Sequence, residues 1–111
     1  MRERRFKDLE IKLLTTDPNG ETFHLDFARG TCSLIISGIW AGKVKGQYAY
    51  DDRHADGWHD TAGGETTGNT PNYVEQVDTI PDKVQYVRIK CTGNITQGTP
   101  PLRGRIVWDE G

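Results

Sequence analysis

Apolar and polar residues alternate along much of this chain, which is the pattern of β-strands that bury one face. The clearest alternation covers residues 22–27, 31–37, 43–50, 86–91 and 105–108. Weaker alternation covers residues 9–16 and 73–79. No window carries a clear helical stripe; residues 3–14 come closest, so a short N-terminal helix there is the alternative to a strand.

Turn-forming residues separate the alternating stretches, as expected for short strands joined by tight connections. They stand at residues 17–20, 29–30, 41–42, 56–57, 80–82 and 92–94. The longest predicted loop covers residues 61–72, which are rich in Gly, Thr and Asn. Strands and turns at this spacing predict an all-β fold, an antiparallel β-sandwich of jelly-roll or Ig-like type with seven to eight short strands.

The chain has 111 residues, which is the length of one domain. We expect one β-sandwich domain over residues 9–111 and a basic N-terminal arm at residues 1–8. No apolar run approaches the ~20 residues that span a bilayer, and no signal-peptide pattern follows the basic start. A net charge of −2, from 14 basic and 16 acidic residues, argues against a general nucleic-acid binder.

The two cysteines, Cys32 and Cys91, lie 59 positions apart and form no CxxC motif. We expect free, buried thiols, which is the usual state of such cysteines in a reducing compartment. A disulfide between them stays open as an alternative, because it depends on whether their strands adjoin.

Acidic and imidazole side chains are densest at residues 51–60, the segment DDRHADGWHD. Their spacing fits neither an EF-hand nor a zinc motif. We interpret residues 56–57 as a hairpin turn whose carboxylates accept backbone N–H bonds. A cation site is the alternative, and no metal or other cofactor is expected.

Catalytic arrangements are not evident in the sequence. Ser33 and Ser37 lie in a strand pattern without a neighbouring base, and the Gly-rich residues 62–65 lack the Lys-Ser/Thr of a phosphate loop. We therefore predict a protein that is not an enzyme. A hydrolase that uses the carboxylates of residues 51–60 is a low-ranked alternative.

The arm and the long loop are the predicted contact elements, because neither is needed for the predicted core. Four of the 14 basic residues fall in the first seven positions, which suits an arm that docks on an acidic neighbouring subunit. A solvated terminus is the alternative interpretation. The predicted partner-binding residues are Arg2, Arg4, Arg5 and Lys7 in the arm and Glu65, Thr66 and Asn69 in the loop.

The three tryptophans, Trp40, Trp58 and Trp108, stand where core or inter-sheet packing is expected. The alternative is an exposed aromatic platform on which sugar rings stack, with Tyr50 as a further member and acidic turn residues bonding the hydroxyls.

Several short motifs resemble a small β-sandwich domain found among virion proteins of tailed bacteriophages. The motifs are ISGIWAGKV at residues 36–44, QY at 47–48, DDRHADGW at 51–58, VRIKCTG at 87–93 and TQGT at 96–99. They match a Gly-x-Trp-x-Gly-x-Val strand entry, an Asp-Gly-Trp hairpin, and an arginine-bearing strand that ends in Thr-Gly. The match covers about residues 20–109, and residues 53–55 and 61–72 lengthen the pattern.

The resemblance implies structural work in a phage particle and no enzymatic activity. The leading hypothesis is a capsid decoration (cement) protein that bridges neighbouring shell subunits. Its partner would be the major capsid protein or another virion protein, with self-association as a trimer as a further hypothesis. The protein would be made in the host cytoplasm and reside in the virion. The alternative is a tail- or fibre-associated carbohydrate-binding module or adhesin.

Overall fold

The computed structural model describes residues 3–13, 19–25, 29–50, 57–81 and 83–110. All secondary-structure elements within these ranges are β-strands, and all strand pairs are antiparallel. The strands are β1 Glu3–Leu9, β2 Phe23–His24, β3 Arg29–Ala49, β4 His59–Gly68, β5 Tyr73–Ile80, β6 Tyr86–Cys91, β7 Thr96–Gln97 and β8 Arg103–Glu110. The all-β, antiparallel prediction is confirmed. Nowhere in these ranges is there a helix that could cross a membrane.

Strand β3 is the centre of the fold because its two halves belong to different layers. Residues 32–39 lie between β8 and β5, with β1 on the far side of β8. Residues 44–49 lie between β6 and β4, with β2 on the far side of β6. We call the first group (β1, β8, first half of β3, β5) sheet A and the second (β2, β6, second half of β3, β4) sheet B.

The turn predicted at residues 41–42 is wrong, because β3 continues through it for 21 residues in all. Gly38 and Gly42 take positive φ values of 131° and 124°, which bend the strand without ending it. The short strand β7 pairs with Trp40 and Ala41 at this bend. The two alternating stretches on either side of the glycines are therefore one strand that passes from sheet A to sheet B.

The core lies between the inner faces of the two sheets. Its fully buried members include Leu34, Ile36 and Ile106 from sheet A and Val44, Val87 and Ile89 from sheet B. Glycines allow the layers to approach: Gly46 lies against the Leu34 side chain, and Gly104 lies against the Ile89 side chain. This is the packing of a β-sandwich, in which each strand contributes every second side chain.

The tryptophans differ in their burial. Trp40 is fully buried, and its indole Nε1 donates to the Gly42 carbonyl at 3.1 Å, so the core prediction is confirmed there. Trp108 is half-buried and packs on Phe23, with 5.3 Å between ring centroids. Trp58 is also half-buried, so neither of these two is a fully buried core residue.

Residues 3–8 of the predicted arm belong to strand β1, and the described residues 3–13 contain no helix, which contradicts the helix alternative there. Residues 1–2 and 14 lie outside the described residues. Strand β1 pairs with β8 from Glu3 opposite Glu110 to Leu9 opposite Gly104. Leu9 is buried in the core. Charged residues occupy most of β1, and an edge strand of this kind discourages pairing with other chains.

The loop predicted at residues 61–72 is wrong over most of its length, since residues 59–68 form β4. Thr61, Thr66 and Gly68 are buried. Toward the end of the strand, Thr66 and Gly68 alternate with exposed residues. The burial is carried by Thr and Gly, so the apolar pattern in the sequence does not reveal it. The strand also contains a register shift opposite Lys45 and Gln47.

A buried carboxylate accounts for the irregular part of β4. Asp78 on β5 accepts hydrogen bonds from Thr61 Oγ1 at 2.8 Å, the Gly63 backbone N–H at 3.1 Å and Gln76 Nε2 at 3.0 Å. Such a carboxylate is stable in the interior only because these donors satisfy it. The bonds from Thr61 and Gly63 fasten β4 to β5, whereas the bond from Gln76 lies within β5.

Both cysteines are free and buried, which confirms the thiol prediction and excludes a bridge between them. The Cys91 thiol donates to the Lys12 carbonyl. Burial raises the pKa of the Cys91 thiol. These properties are those of a small core residue, since a reactive cysteine needs an accessible thiolate.

Candidate protein-interaction faces

The outer face of sheet A presents large apolar and charged side chains on a rigid strand framework. Alternation places every second residue of its strands away from the core. We call this surface the docking face; its members are Phe6, Asp8, Ile35, Ser37, Tyr73, Glu75, Val77, Arg103, Arg105 and Val107.

Three apolar side chains of the docking face are exposed to an unusual degree. Phe6 is 60% exposed, and Tyr73 and Val77 are each 55% exposed. Between them lie the half-buried Ile35 and Val107. Contiguous apolar groups rimmed by polar ones are the usual mark of a protein–protein contact site.

A shallow groove of about 240 Å³ runs across the middle of the docking face. It is lined by Asp8, Ile35, Ser37, Glu75, Arg103 and Arg105. The groove contains cations and carboxylates in equal number around one aliphatic side chain. Its floor is strand β3, so the lining is held by paired backbone rather than by a mobile loop.

One arginine of the groove is already fixed in place. Arg105 donates to the Asp8 carboxylate from Nε at 2.7 Å and from a second nitrogen at 3.3 Å, and its guanidinium lies 4.1 Å from the Phe6 ring. The hydrogen bond from Arg105 lowers the pKa of Asp8, and the same bond raises the pKa of Arg105. An exposed pair adds little stability, but it orients Arg105 and Phe6 before a partner arrives.

The other charged pair of the groove is not joined. Arg103 and Glu75 occupy register positions on either side of Ser37, so strand β3 separates them. Neither side chain makes a hydrogen bond or an ion pair with another residue in the part of the chain that the structure describes. Arg103 does act on Asp8 through space, since its positive charge helps to lower the pKa of that carboxyl.

The outer face of sheet B is polar and basic. It carries Lys43, Lys45, Arg88 and Lys90 together with the two acids Asp60 and Glu65, and we call it the basic face. Among the described residues of this face, four cations stand against two carboxylates, on a chain whose net charge is −2. The basic face is therefore suited to an acidic partner surface.

A hydrogen-bonded network orders the centre of the basic face. Gln47 donates to Asp60 at 3.0 Å and accepts from Arg88 Nε at 3.0 Å, and Lys45 Nζ lies 3.1 Å from Asp60. The Arg88 guanidinium covers the Trp58 ring at 4.0 Å. The bond from Gln47, helped by Lys45, lowers the pKa of Asp60.

The predicted contact residues of the arm fall along one edge of sheet A. Arg4 forms a long ion pair with Asp109 at 3.9 Å, and Lys7 pairs with Glu21 at 3.0 Å. Arg5 pairs in register with Trp108 and has a partner of its own. Arg2 lies outside the described residues.

The predicted contact residues of the loop lie elsewhere, so the two sets do not form one site. Glu65 is on the basic face, where it meets Lys43 at 3.8 Å and accepts from the Thr92 hydroxyl at 2.5 Å. Thr66 is buried, and its hydroxyl has no hydrogen-bond partner among the described residues, so it faces away from any docking protein. Asn69 is exposed after the end of β4, where its carbonyl accepts from the Asn72 N–H.

The groove residues of the docking face were not predicted from the sequence, although their positions in alternating strands were a usable signal. Once Leu34, Ile36 and Ile106 are assigned inward, Ile35, Ser37 and Arg105 must point outward. What the sequence lacks is the strand order that brings β8 and β5 to the two sides of β3.

Metal and sugar sites receive little support from the geometry. No cluster of three or more His, Cys, Asp or Glu suited to a metal occurs among the described residues. Residues 51–56, which hold most of the acidic segment, lie outside them. Trp40 is buried and cannot serve a sugar platform, whereas Tyr50 is 38% exposed and makes edge contacts with Tyr48 and His59.

Comparisons of the chain with protein-family models, with curated proteins and with solved structures found no match. The class of this protein is therefore defined by its fold and its two outer faces alone. The chain is an all-β, sandwich-type protein with two outer faces that differ in charge.

The carboxyl groups of the two faces predict how stability responds to acid. Hydrogen bonds lower the pKa of Asp8 and Asp60 below the ordinary value of 3.8. Because the folded pKa is the lower one, each group stabilises the fold above its unfolded pKa, and this contribution is lost as the pH falls through the folded pKa. We therefore expect a constant urea midpoint between about pH 7 and 5 and a falling one below about pH 4.

An Asp60→Asn variant should show a smaller acid-induced fall, since it lacks one of the carboxylates that must be protonated. The matched control is Glu75→Gln, which removes a carboxylate that makes no hydrogen bond to a described residue. Urea titrations at several pH values measure both. Equal acid sensitivity of the wild type and Asp60→Asn would contradict this assignment.

Proposed function

We propose that the chain is a non-enzymatic structural protein of a bacteriophage particle, acting as a capsid decoration protein that bridges neighbouring shell subunits. The docking face is the observation that carries the structural role. Its exposed Phe6, Tyr73 and Val77 stand on a paired sheet around a shallow, charge-balanced groove. The resemblance of the strand-entry and hairpin motifs supports the virion as the place of action.

Two outer faces on one sandwich support the bridging role in particular. A bridging protein must contact two neighbours at once, and the docking face and the basic face belong to opposite layers. The docking face is apolar with balanced charge, whereas the described part of the basic face carries two more cations than carboxylates. Each face therefore selects a different partner surface, and the basic face selects an acidic one.

Copy number in purified particles tests this function. Particles from a culture that produces the chain are purified on a gradient, and the chain is quantified against the major shell protein by mass spectrometry. A decoration protein is expected at a copy number comparable to that of the shell protein. A few copies per particle would replace the shell role with a tail role, and none in the particles would overturn the proposal.

A charge reversal on the basic face tests how the particle is bound. Lys43→Glu should lower the copies per particle by about tenfold or more, because it turns an attractive contact with an acidic surface into a repulsive one. Lys83→Glu is the matched control, since it makes the same charge change in the turn between β5 and β6. Equal losses for both variants would show that net charge, not the basic face, governs binding.

The aromatic group beside the basic face favours a second candidate, a tail- or fibre-associated carbohydrate-binding module. Tyr48, Tyr50 and His59 lie within 5.7 Å of one another by ring centroids, and Tyr50 is 38% exposed. Binding of the pure chain to immobilised bacterial polysaccharide, abolished by Tyr50→Ala, would favour this candidate.

A further inference from the structure

The unjoined charges of the docking face are arranged so that a second copy of the chain would pair them. Arg103 on β8 and Glu75 on β5 both stand opposite Ser37 on β3, one on each side. Neighbouring strands lie about 4.8 Å apart, so the two residues are displaced equally from β3 in opposite directions. A rotation of 180° about the β3 axis therefore moves each of these two residues to the position of the other.

A two-fold axis along β3, lying in the plane of a face-to-face contact, exchanges the β8 and β5 sides of the sheet. Arg103 of one copy then faces Glu75 of the other, and Glu75 of the first copy faces Arg103 of the second. Ile35 lies on β3 itself and therefore meets its own counterpart at the centre. An interface of this kind is isologous, the commonest form of protein dimer.

The remaining groups of the docking face are compatible with the same arrangement. Val77 stands beside Ile35 on β5 and would face the β8 side of the other copy, where Arg105 is held toward β1 by Asp8. Because Arg105 is already paired within its own chain, it does not compete for Glu75. Aligned packing of two sheets is a standard geometry for such a contact.

Resting on the function proposed above, we propose that the occupant of the docking face is a second copy of this chain, held by two reciprocal Arg103–Glu75 ion pairs around a central Ile35 contact. The pair would present its two basic faces in opposite directions. In this form the docking face of each chain contacts the second copy rather than a shell subunit, and the dimer bridges two neighbours through its two basic faces.

The area of the docking face determines how strong a dimer we expect. With the two-fold axis on β3, three strands of each copy face each other (β8, β3 and β5), and seven to eight residues of each span roughly 14 Å by 25 Å. That area is smaller than the ~800 Å² that each partner buries in a standard interface. We therefore expect a weak dimer whose population rises with protein concentration, and which high salt weakens.

Sedimentation equilibrium of the full chain over a wide concentration range tests the proposal. The wild type is expected to dimerise, and Arg103→Glu and Glu75→Arg are each expected to weaken the dimer by about tenfold or more. The double variant restores both ion pairs with their signs exchanged, so its dissociation constant should return to within about threefold of the wild type. An equimolar mixture of the two single variants should form a heterodimer.

Lys43→Glu and Glu65→Arg are the matched controls, because they make the same charge changes on the basic face. Both should dimerise like the wild type. A wild type that stays monomeric throughout, or single variants that dimerise normally, would overturn the proposal. A double variant that stays as weak as the single variants would overturn it too.

The outcome is separate from that of the proposed function. A chain that dimerises through Arg103 and Glu75 but is missing from particles supports the dimer and overturns the decoration role. A monomeric chain with a shell-like copy number supports the decoration role and overturns the dimer.

Discussion

Trp40→Ala is expected to lower the free energy of unfolding by about 3–5 kcal/mol, the range for removing a large aromatic side chain from a core. Trp40 is fully buried at the bend where β3 leaves sheet A for sheet B. Its indole fills space that Gly68 of β4 leaves open, since a side chain at Gly68 would collide with the ring. The alanine variant leaves a cavity at the bend of β3, a strand that both layers share.

Two variants separate the contributions of Trp40. Trp40→Phe keeps an aromatic ring but removes the 3.1 Å bond from Nε1 to the Gly42 carbonyl, so it should lose less than the alanine variant. Trp108→Ala is the matched control, because this tryptophan is only half-buried against Phe23. Urea unfolding monitored by circular dichroism gives all three values. A Trp40→Ala loss no larger than that of Trp108→Ala would contradict the central position of Trp40.

The alternation of side chains made the fold class predictable from sequence. Strands such as β6 and β8 bury Val87, Ile89 and Ile106 at every second position, which is a local property of the chain. Strand β4 escaped prediction because its inward positions are Thr and Gly, and their partners lie on other strands: Thr61 bonds to Asp78 of β5, and Gly68 lies against the Trp40 ring of β3. Long-range partners of this kind leave no local pattern.

The docking face could be predicted only in part for the same reason. Outward positions follow from the inward ones, so the exposure of Val77 and Glu75 was accessible in principle. The juxtaposition of Glu75 with Arg103 was not, because it requires β5 and β8 to flank the same half of β3. The basic composition of the N-terminus favoured a docking arm, but composition does not reveal that residues 3–9 pair with β8 as an edge strand.

The glycine at the start of the β3 bend should be among the least replaceable residues of the chain. Gly38 has a φ of 131°, a conformation that side-chain-bearing residues rarely adopt, and a Cβ there would collide with the Pro101 carbonyl. Backbone strain costs about 1–3 kcal/mol, and overpacking costs typically 1–3 kcal/mol more. We therefore expect Gly38→Ala to lose about 2–6 kcal/mol, since the colliding atoms belong to backbone that cannot rotate away.

Three glycine variants separate the cost of the positive φ from the cost of the close contact with Pro101. Gly64 has a positive φ of 66° but open space around it, so Gly64→Ala should show the conformational cost alone, about 1 kcal/mol. Gly93 has open space and no positive φ, so Gly93→Ala should stay within about 0.5 kcal/mol of the wild type. If Gly38→Ala lost no more than Gly64→Ala, the close approach of residue 101 would not constrain the bend. The path of β3 from one layer to the other would then depend on the φ of Gly38 alone.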